Sequence, residues 1–447
     1  MQFLNASSIN YEIKGGEPVI GSINCMGAKN FATKAMVASL LSSERSFLHN
    51  VPMIGDVYIT EKLLESLGVQ IHHNNDIVCI DPNNLNINEA SLPDSRTNRI
   101  PILLLSVLLH KFDSVSVPIV GGDEIGKRRV DFHIYALEAF GAKIEHYENK
   151  YVASKTEPLH GCEITLPYPS VGATETCIFL SVLARGLSII KNIAIEPEIT
   201  ELITMLRCMG AVILFTGNRE ITIHGVEKLF GTNVHIIGDR IEAASWASLA
   251  CASNGLIRVN GIRPNLLGNF LSYYKMSGGG YRIIDENSME FFRDGKLKPV
   301  SIETDVYPGF STDWQQPFAT VLTQTDGTST IHETVYEYRF GYLDVLNKLG
   351  ANTKVTDQCI GSAVCRYHGQ GHKHSAIIDG RTQLKAIDEA LKVPDLRAGL
   401  AYLIVAVIAN GTTLLTSAEQ IERGYGNLIT KLENTNLKLQ RTVIHCE

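Results

Sequence analysis

The chain has 447 residues, 45% of them hydrophobic and 19% charged, with a formal net charge of −7. That length exceeds what one hydrophobic core organises and predicts roughly two or three domains. The negative balance argues against a general nucleic-acid binder, whose usual footprint is a basic surface.

The N-terminal stretch MQFLNASSINYEIKGGEP lacks a basic start followed by an apolar core, so no secretory signal is expected. Nine cysteines, with no CxxC pair among them, predict reduced thiols and a cytoplasmic protein. In chain order, GSINCMGAKNFATKAMVASLL (21–41) places Lys29 and Asn30 at the beginning of an alanine-rich helix, just after Gly27. The free N–H groups and positive dipole end there favour an anion, and Lys29 adds a mobile charge. The same residues also make an ordinary helix start. No Walker pattern is present, so a P-loop nucleotide site is excluded.

IPILLLSVLL (100–109) and LAYLIVAVIA (400–409) are apolar throughout but fall short of the ~20 residues that a membrane helix requires. They read as buried helices. A helix-end signature, an apolar amphipathic run followed by Gly and a small residue before a β-type segment, recurs along the chain. Its pivots are Gly68, Gly141, Gly210, Gly278 and Gly350, 68 to 73 residues apart, with Asn436 in a degenerate sixth copy. Glycine suits a left-handed helix C-cap there, and Asn is its best substitute. Six such units, too long for a solenoid, predict two α/β domains of three repeats each, with apolar helices inside and sheets outside.

IVGGDEIGKRRVDFHI (119–134) sets Asp123 directly after two glycines, which makes it either a solvated turn residue or the acid of an active site. LPYPSVGATETCIF (166–179) joins an extended segment to a helix. Ser170 and the nearby amides either accept a diphosphate or simply cap that helix. In YPGFSTDWQQPFATVL (307–322), Asp313 is either a capping carboxylate or a general base held ionised at a helix start. Arg397 in DLRAG and Arg423 in IERGYGNL are each expected at the start of a helical segment. With Arg99 and Arg128 they form a candidate guanidinium clamp for phosphate and carboxylate. The His-rich stretch YHGQGHKH (367–374) reads as a solvated loop rather than a metal site, because no second-shell carboxylate pattern accompanies it.

Taken jointly, GAKN (27–30), GGDEIGKRRVDFHI (121–134), SVGATE (170–175), EPEI (196–199), DRIEAASW (239–246), YPGFSTDWQQPF (307–318), HETVYEYRFGYL (332–343), DLRAG (395–399) and ERGY (422–425) resemble the enolpyruvyl transferase family, within it the UDP-N-acetylglucosamine 1-carboxyvinyltransferases. They keep order and spacing along nearly the whole chain. The resemblance implies two inside-out α/β barrels of three repeats each, with the active site between the domains. One domain would be discontinuous (1–28 plus 238–447), and the second (29–237) would carry a catalytic lid loop at 119–131.

The implied reaction moves the enolpyruvyl group of phosphoenolpyruvate to the 3′-hydroxyl of UDP-N-acetylglucosamine, releasing phosphate, as the first committed step of peptidoglycan precursor synthesis. No metal, organic cofactor, nucleic-acid partner or membrane partner is implied. Lys29, Arg128 and Arg423 would hold phosphoenolpyruvate's anionic groups, with Arg397 on its carboxylate side. Asn30 and Asp313 would face the amino sugar, Asp313 taking the hydroxyl's proton. Arg99, Ser170, Val171 and Gly172 would meet the diphosphate, Asp131 the uracil, and Val335 the nucleotide sugar through its backbone.

Two residues depart from the family's common pattern. Asp123 stands where cysteine is usual, as it does in some members, which makes it the implied proton donor and implies insensitivity to the cysteine-alkylating epoxide fosfomycin. Arg129 stands where proline is frequent, adding charge to the lid. Two other readings compete: a paralogue using another hydroxyl acceptor, and a non-catalytic nucleotide-sugar binding protein. The shikimate-pathway relative is disfavoured because Ala28-Lys29-Asn30 replaces its Ser-Lys-Ser signature.

Overall fold

The computed structural model describes residues 7–92, 98–121, 130–362, 365–426 and 428–445, without the side chains of Ser7, Leu396, Arg397 and His445. Asp123, Arg128, Arg129 and most of the predicted lid therefore lie outside the described residues. The described residues divide into two units: one holds those up to Met26 and from Gly238 onward, and the other holds those between Gly27 and Ile237.

In the first unit, three four-stranded sheets are each built around an antiparallel pair. Ser7–Gly15 lies between Gly411–Thr416 and Lys438–His445; Leu256–Asn260 lies between Ser288–Arg293 and Ile20–Asn24; Ser375–Asp379 lies between Thr328–His332 and Asn352–Thr356. The second unit repeats the pattern around Ser46–His49, Lys150–Ser154 and Leu187–Lys191. Each sheet also gains a parallel neighbour: Leu391–Lys392, Ile20–Asn24, Ser301–Glu303, Asn233–His235 and Glu163–Thr165 supply it in five sheets. In the sixth it shrinks to one bridge between Glu89 and Ser116. Six units of one topology underlie the six-fold sequence signature.

Helices fill the interior. Every residue of Arg240–Ala252 and of Pro101–Leu108 is buried, whereas the strands alternate, as in Leu256–Asn260, with one face partly open. A helix that is apolar all round can only be stable inside. Each unit thus holds three repeats, with helices inside and sheets outside, as the sequence signature predicts. Among the described residues, no helix is long and apolar enough to cross a membrane.

The helix-end glycines sit where expected. Gly68, Gly141, Gly210, Gly278 and Gly350 have φ of 92°, 95°, 102°, 94° and 103°. Ala211 N–H then reaches back to Leu206 O at 2.9 Å, and Ala351 N–H to Leu346 O at 2.9 Å, closing the last turn in the Schellman manner. Asn436 works differently. Its side chain accepts from Ile20 N–H at 2.8 Å and donates to Pro18 O at 2.9 Å. The sixth repeat borrows its strand from the N-terminus, Tyr11 opposing Arg441, so its turn is also stapled to another segment.

Candidate active site

In the first unit, the chemistry gathers around a 3-10 turn, Thr312–Trp314. Ser311, not Asp313, caps this turn, accepting from Asp313 N–H at 3.4 Å. The capping expectation for Asp313 is thereby corrected: a hydroxyl two residues earlier does the work and leaves the carboxylate to the side. Asp313 instead forms an ion pair with Arg339, whose side chain is only 1% exposed. Arg339 also donates to Thr312 O at 3.3 Å and lies over the Tyr336 ring at 5.5 Å.

Beneath them Glu333, fully buried, accepts from Thr312 Oγ1 at 2.8 Å, Val335 N–H at 2.6 Å and Tyr336 N–H at 2.9 Å, and from Gln315 Nε2. Burial pushes its carboxyl above the usual range, while Arg339 and these donors pull the other way. Val335, the expected backbone contact, thus has its N–H on Glu333, and its carbonyl accepts the Tyr367 hydroxyl at 2.7 Å. Trp314 seats the turn, its indole donating to Arg240 O at 3.3 Å and its ring packing edge-on against Phe270 and Phe310.

Asp395 caps the Leu396–Ile408 helix through Ala398 N–H at 2.9 Å, and its charge acts on Arg339. Arg397 is therefore the second residue of a helix that begins beside the Asp313–Arg339 pair; its side chain lies outside the described residues. Arg423 is in the last turn of Glu419–Tyr425, not at a helix start as expected. The helix starts four residues earlier, at Glu419, with Ala418 N–H held by Ile9 O at 2.8 Å. Ile421 of that helix lies where a Cβ on Gly399 would fall, so the two arginine-bearing segments pack closely.

In the second unit, Lys29 opens the Lys29–Ala38 helix with Asn30 next to it, both half-buried. Lys29 Nζ lies 2.5 Å from the carboxylate of buried Asp56, at the start of Gly55–Glu65. The Asn98 side chain donates to Asp56 O and to Thr60 Oγ1, each at 3.3 Å, and the Asn98 backbone carbonyl accepts from Gly121 N–H at 3.1 Å. One buried residue thereby ties the Lys29–Asp56 pair to the beginning of the 119–131 stretch.

Arg99, the next residue, carries a charge felt by His133, whose imidazole is pushed down to about 3, chiefly by burial and then by Arg99. His133 is thus neutral and pinned by Thr176 Oγ1 at 2.8 Å. It lies under Gly172, where an added Cβ would come within 2.9 Å of Cε1. Ser170 caps the Val171–Ser181 helix, accepting from Ala173 N–H at 3.4 Å, so the capping reading holds. Asp131 opens the Asp131–Ala139 helix and is exposed.

A family model described as EPSP synthase (3-phosphoshikimate 1-carboxyvinyltransferase) matches residues 13–432. The UDP-N-acetylglucosamine 1-carboxyvinyltransferase of Protochlamydia amoebophila is 45% identical over 429 residues, covering 94% of this chain and 92% of the relative. That of Chlamydia abortus is 45% identical over 433 residues, covering 96% and 97%. The chain belongs to the UDP-N-acetylglucosamine 1-carboxyvinyltransferase family.

Among solved structures, the enolpyruvyl transferase NikO from Streptomyces tendae has a TM-score of 0.83 at 20% identity, covering 98% of this chain and 99% of that one. An EPSP synthase from Acinetobacter baumannii reaches 0.67 at 16% identity, covering 97% and 100%. Both speak to the fold alone.

For a UDP-N-acetylglucosamine 1-carboxyvinyltransferase family member, sequence reasoning missed four supporting residues: Arg339, Asp56, Asn98 and His133. It also missed Glu175, whose carboxyl is pushed up to about 7 by burial, with Lys34 opposing and Glu196 and Glu198 adding to the shift. Gly172→Ala is expected to destabilise the chain by about 1–3 kcal/mol, since the new methyl has only pinned His133 to move into. Urea unfolding checks this, and the Gly172→Ala/His133→Ala double variant should recover much of the loss. An unchanged midpoint for the single variant would contradict the packing.

Proposed function

We propose that this chain is a cytoplasmic enzyme that transfers the enolpyruvyl group of phosphoenolpyruvate to the 3′-hydroxyl of UDP-N-acetylglucosamine and releases phosphate. The observation that carries the reading is the 45% identity, over nearly the full length, to relatives named for that activity. Asp123 supplies a proton to C3 of phosphoenolpyruvate while the sugar oxygen adds to C2 and its own proton passes to Asp313. C3 then loses a proton, the C2–O bond to phosphate breaks, and phosphate departs. An addition–elimination of this kind needs an acid, a base and fixed cations around the phosphate and carboxylate.

Lys29, Arg128, Arg397 and Arg423 are the cations in this reading, with Lys29 aimed by Asp56. Asp313 is ion-paired with Arg339, the charged and proton-accepting form a base requires. Asn30 faces the amino sugar, Arg99 with Ser170, Val171 and Gly172 the diphosphate, Asp131 the uracil, and Val335 the nucleotide sugar. The 119–131 loop closes over the substrates and excludes water from the intermediate.

Phosphate release from phosphoenolpyruvate tests the reading, with UDP-N-acetylglucosamine, shikimate 3-phosphate or a plain nucleotide as acceptor. Release is expected with the first alone. Release with another acceptor only, or with none, would overturn it.

A further inference from the structure

Four potential ligands converge at one end of the third sheet of the first unit. They are His332, Cys359, Cys365 and His374, whose donor atoms all lie within 4.8 Å of one another. His332 ends the Thr328–His332 strand and pairs with Ser375, so His374 stands beside it across the antiparallel ladder. Cys359 follows the Asn352–Thr356 strand, and Cys365 comes from the loop between. The expectation of a solvated, metal-free loop at 367–374 is corrected in part by this packing, since Tyr367 and His374 are buried.

The hydrogen bonds fix which nitrogen of each histidine is available. Ser375 donates its one hydroxyl proton to Gln358 O at 2.5 Å, so at 2.8 Å from His332 Nδ1 it acts as acceptor and holds the proton on Nδ1. His374 Nδ1 lies 2.6 Å from His372 O, a group that can only accept, so it too carries its proton there. Both Nε2 lone pairs are therefore free to ligate. His374 Nε2 is 3.2 Å from Cys359 Sγ. Among the described residues His332 Nε2 has no hydrogen-bond partner, and the residue is only 1% exposed. A buried nitrogen lone pair left unmatched is unfavourable, and a metal bond removes that cost. Nδ1 held by an outer oxygen while Nε2 faces inward is the arrangement that orients metal-bound histidine.

We propose that His332, Cys359, Cys365 and His374 bind one structural zinc ion. Two thiolates and two imidazoles suit zinc among divalent metals, and four protein ligands leave no open position for catalysis. Zinc–sulfur bonds of about 2.3 Å and zinc–nitrogen bonds of about 2.0 Å place tetrahedral ligand atoms roughly 3.3–3.8 Å apart, so a small contraction completes the site. The two thiol protons leave as zinc enters. The ion ties down the loop that carries Arg366 and Tyr367 to the Val335 carbonyl, and His332 directly precedes Glu333, the organiser of the Asp313 turn. Zinc thus braces the Asp313 side of the molecule.

The test uses the full chain purified without chelator. Elemental analysis should give one zinc per chain, and cobalt(II) exchanged for it should give the thiolate charge-transfer and d–d bands of a tetrahedral S₂N₂ site. Cys359→Ser, Cys365→Ser and His374→Ala should lose both signals. His368→Ala should keep them, although His368 Nδ1 lies 3.5 Å from Cys359, because that residue is exposed. Ser375→Ala should weaken zinc binding by about 10–100-fold through loss of the hold on His332.

If a ligand variant fails to fold, alkylation of the wild type decides: zinc should protect Cys359 and Cys365 but not exposed Cys208. Chains that bind no stoichiometric zinc or cobalt, a Cys359–Cys365 disulfide in place of the metal, or bands unchanged in the ligand variants would each overturn the proposal.

Discussion

Asp123→Asn is expected to lower kcat by about 10²–10⁴-fold, because the amide cannot deliver a proton to C3 of phosphoenolpyruvate. Asp123→Cys should keep substantial activity but move the alkaline limb of the pH profile upward. The sign follows from the donor's need to be protonated. An unperturbed carboxylic acid loses its proton near 3.9 and a thiol near 8.5. Even raised by burial or by the anionic substrate, the aspartic donor is exhausted at lower pH than the thiol. The wild type therefore has the more acidic optimum. Fosfomycin provides the second readout: time-dependent covalent modification is expected in the cysteine variant and not in the wild type. Equal optima, or alkylation of the wild type, would count against Asp123 as the donor.

The second large effect concerns the Asp313–Arg339 pair. Arg339→Met removes a fully buried cation from between Asp313, Glu333 and the Tyr336 ring. Breaking a buried pair from one side costs about 3–5 kcal/mol, because the remaining charges are stranded. Urea unfolding should show that loss. Asp313→Asn should cost less stability, since Glu333 still faces Arg339, yet lower kcat by about 10²–10⁴-fold through loss of the base. The two variants thus separate positioning from chemistry. Wild-type stability in the first, or a wild-type rate in the second, would contradict the assignment.

What the sequence made legible was local. The helix-end glycines announced themselves because a positive φ is a one-residue constraint, and five such constraints at near-equal spacing, with Asn436 after them, count the repeats. The helix starts at Lys29 and Ser170 were equally local. Arg339 and Asp56 were not legible: each meets its partner, Asp313 or Lys29, across more than twenty residues, where no spacing rule applies. Ser311 as the cap in place of Asp313 was not legible either, because both residue types cap well. The His332–Cys359–Cys365–His374 cluster depends on a strand register, His332 opposite Ser375, that no composition reveals.

Product identification tests the central claim most directly. Incubation of the purified chain with phosphoenolpyruvate and UDP-N-acetylglucosamine, followed by mass spectrometry and NMR, should yield an enolpyruvyl ether on the 3′-oxygen of the sugar, with one phosphate released per ether formed. Recovery of both substrates unchanged, or an ether on any other oxygen, would contradict the account.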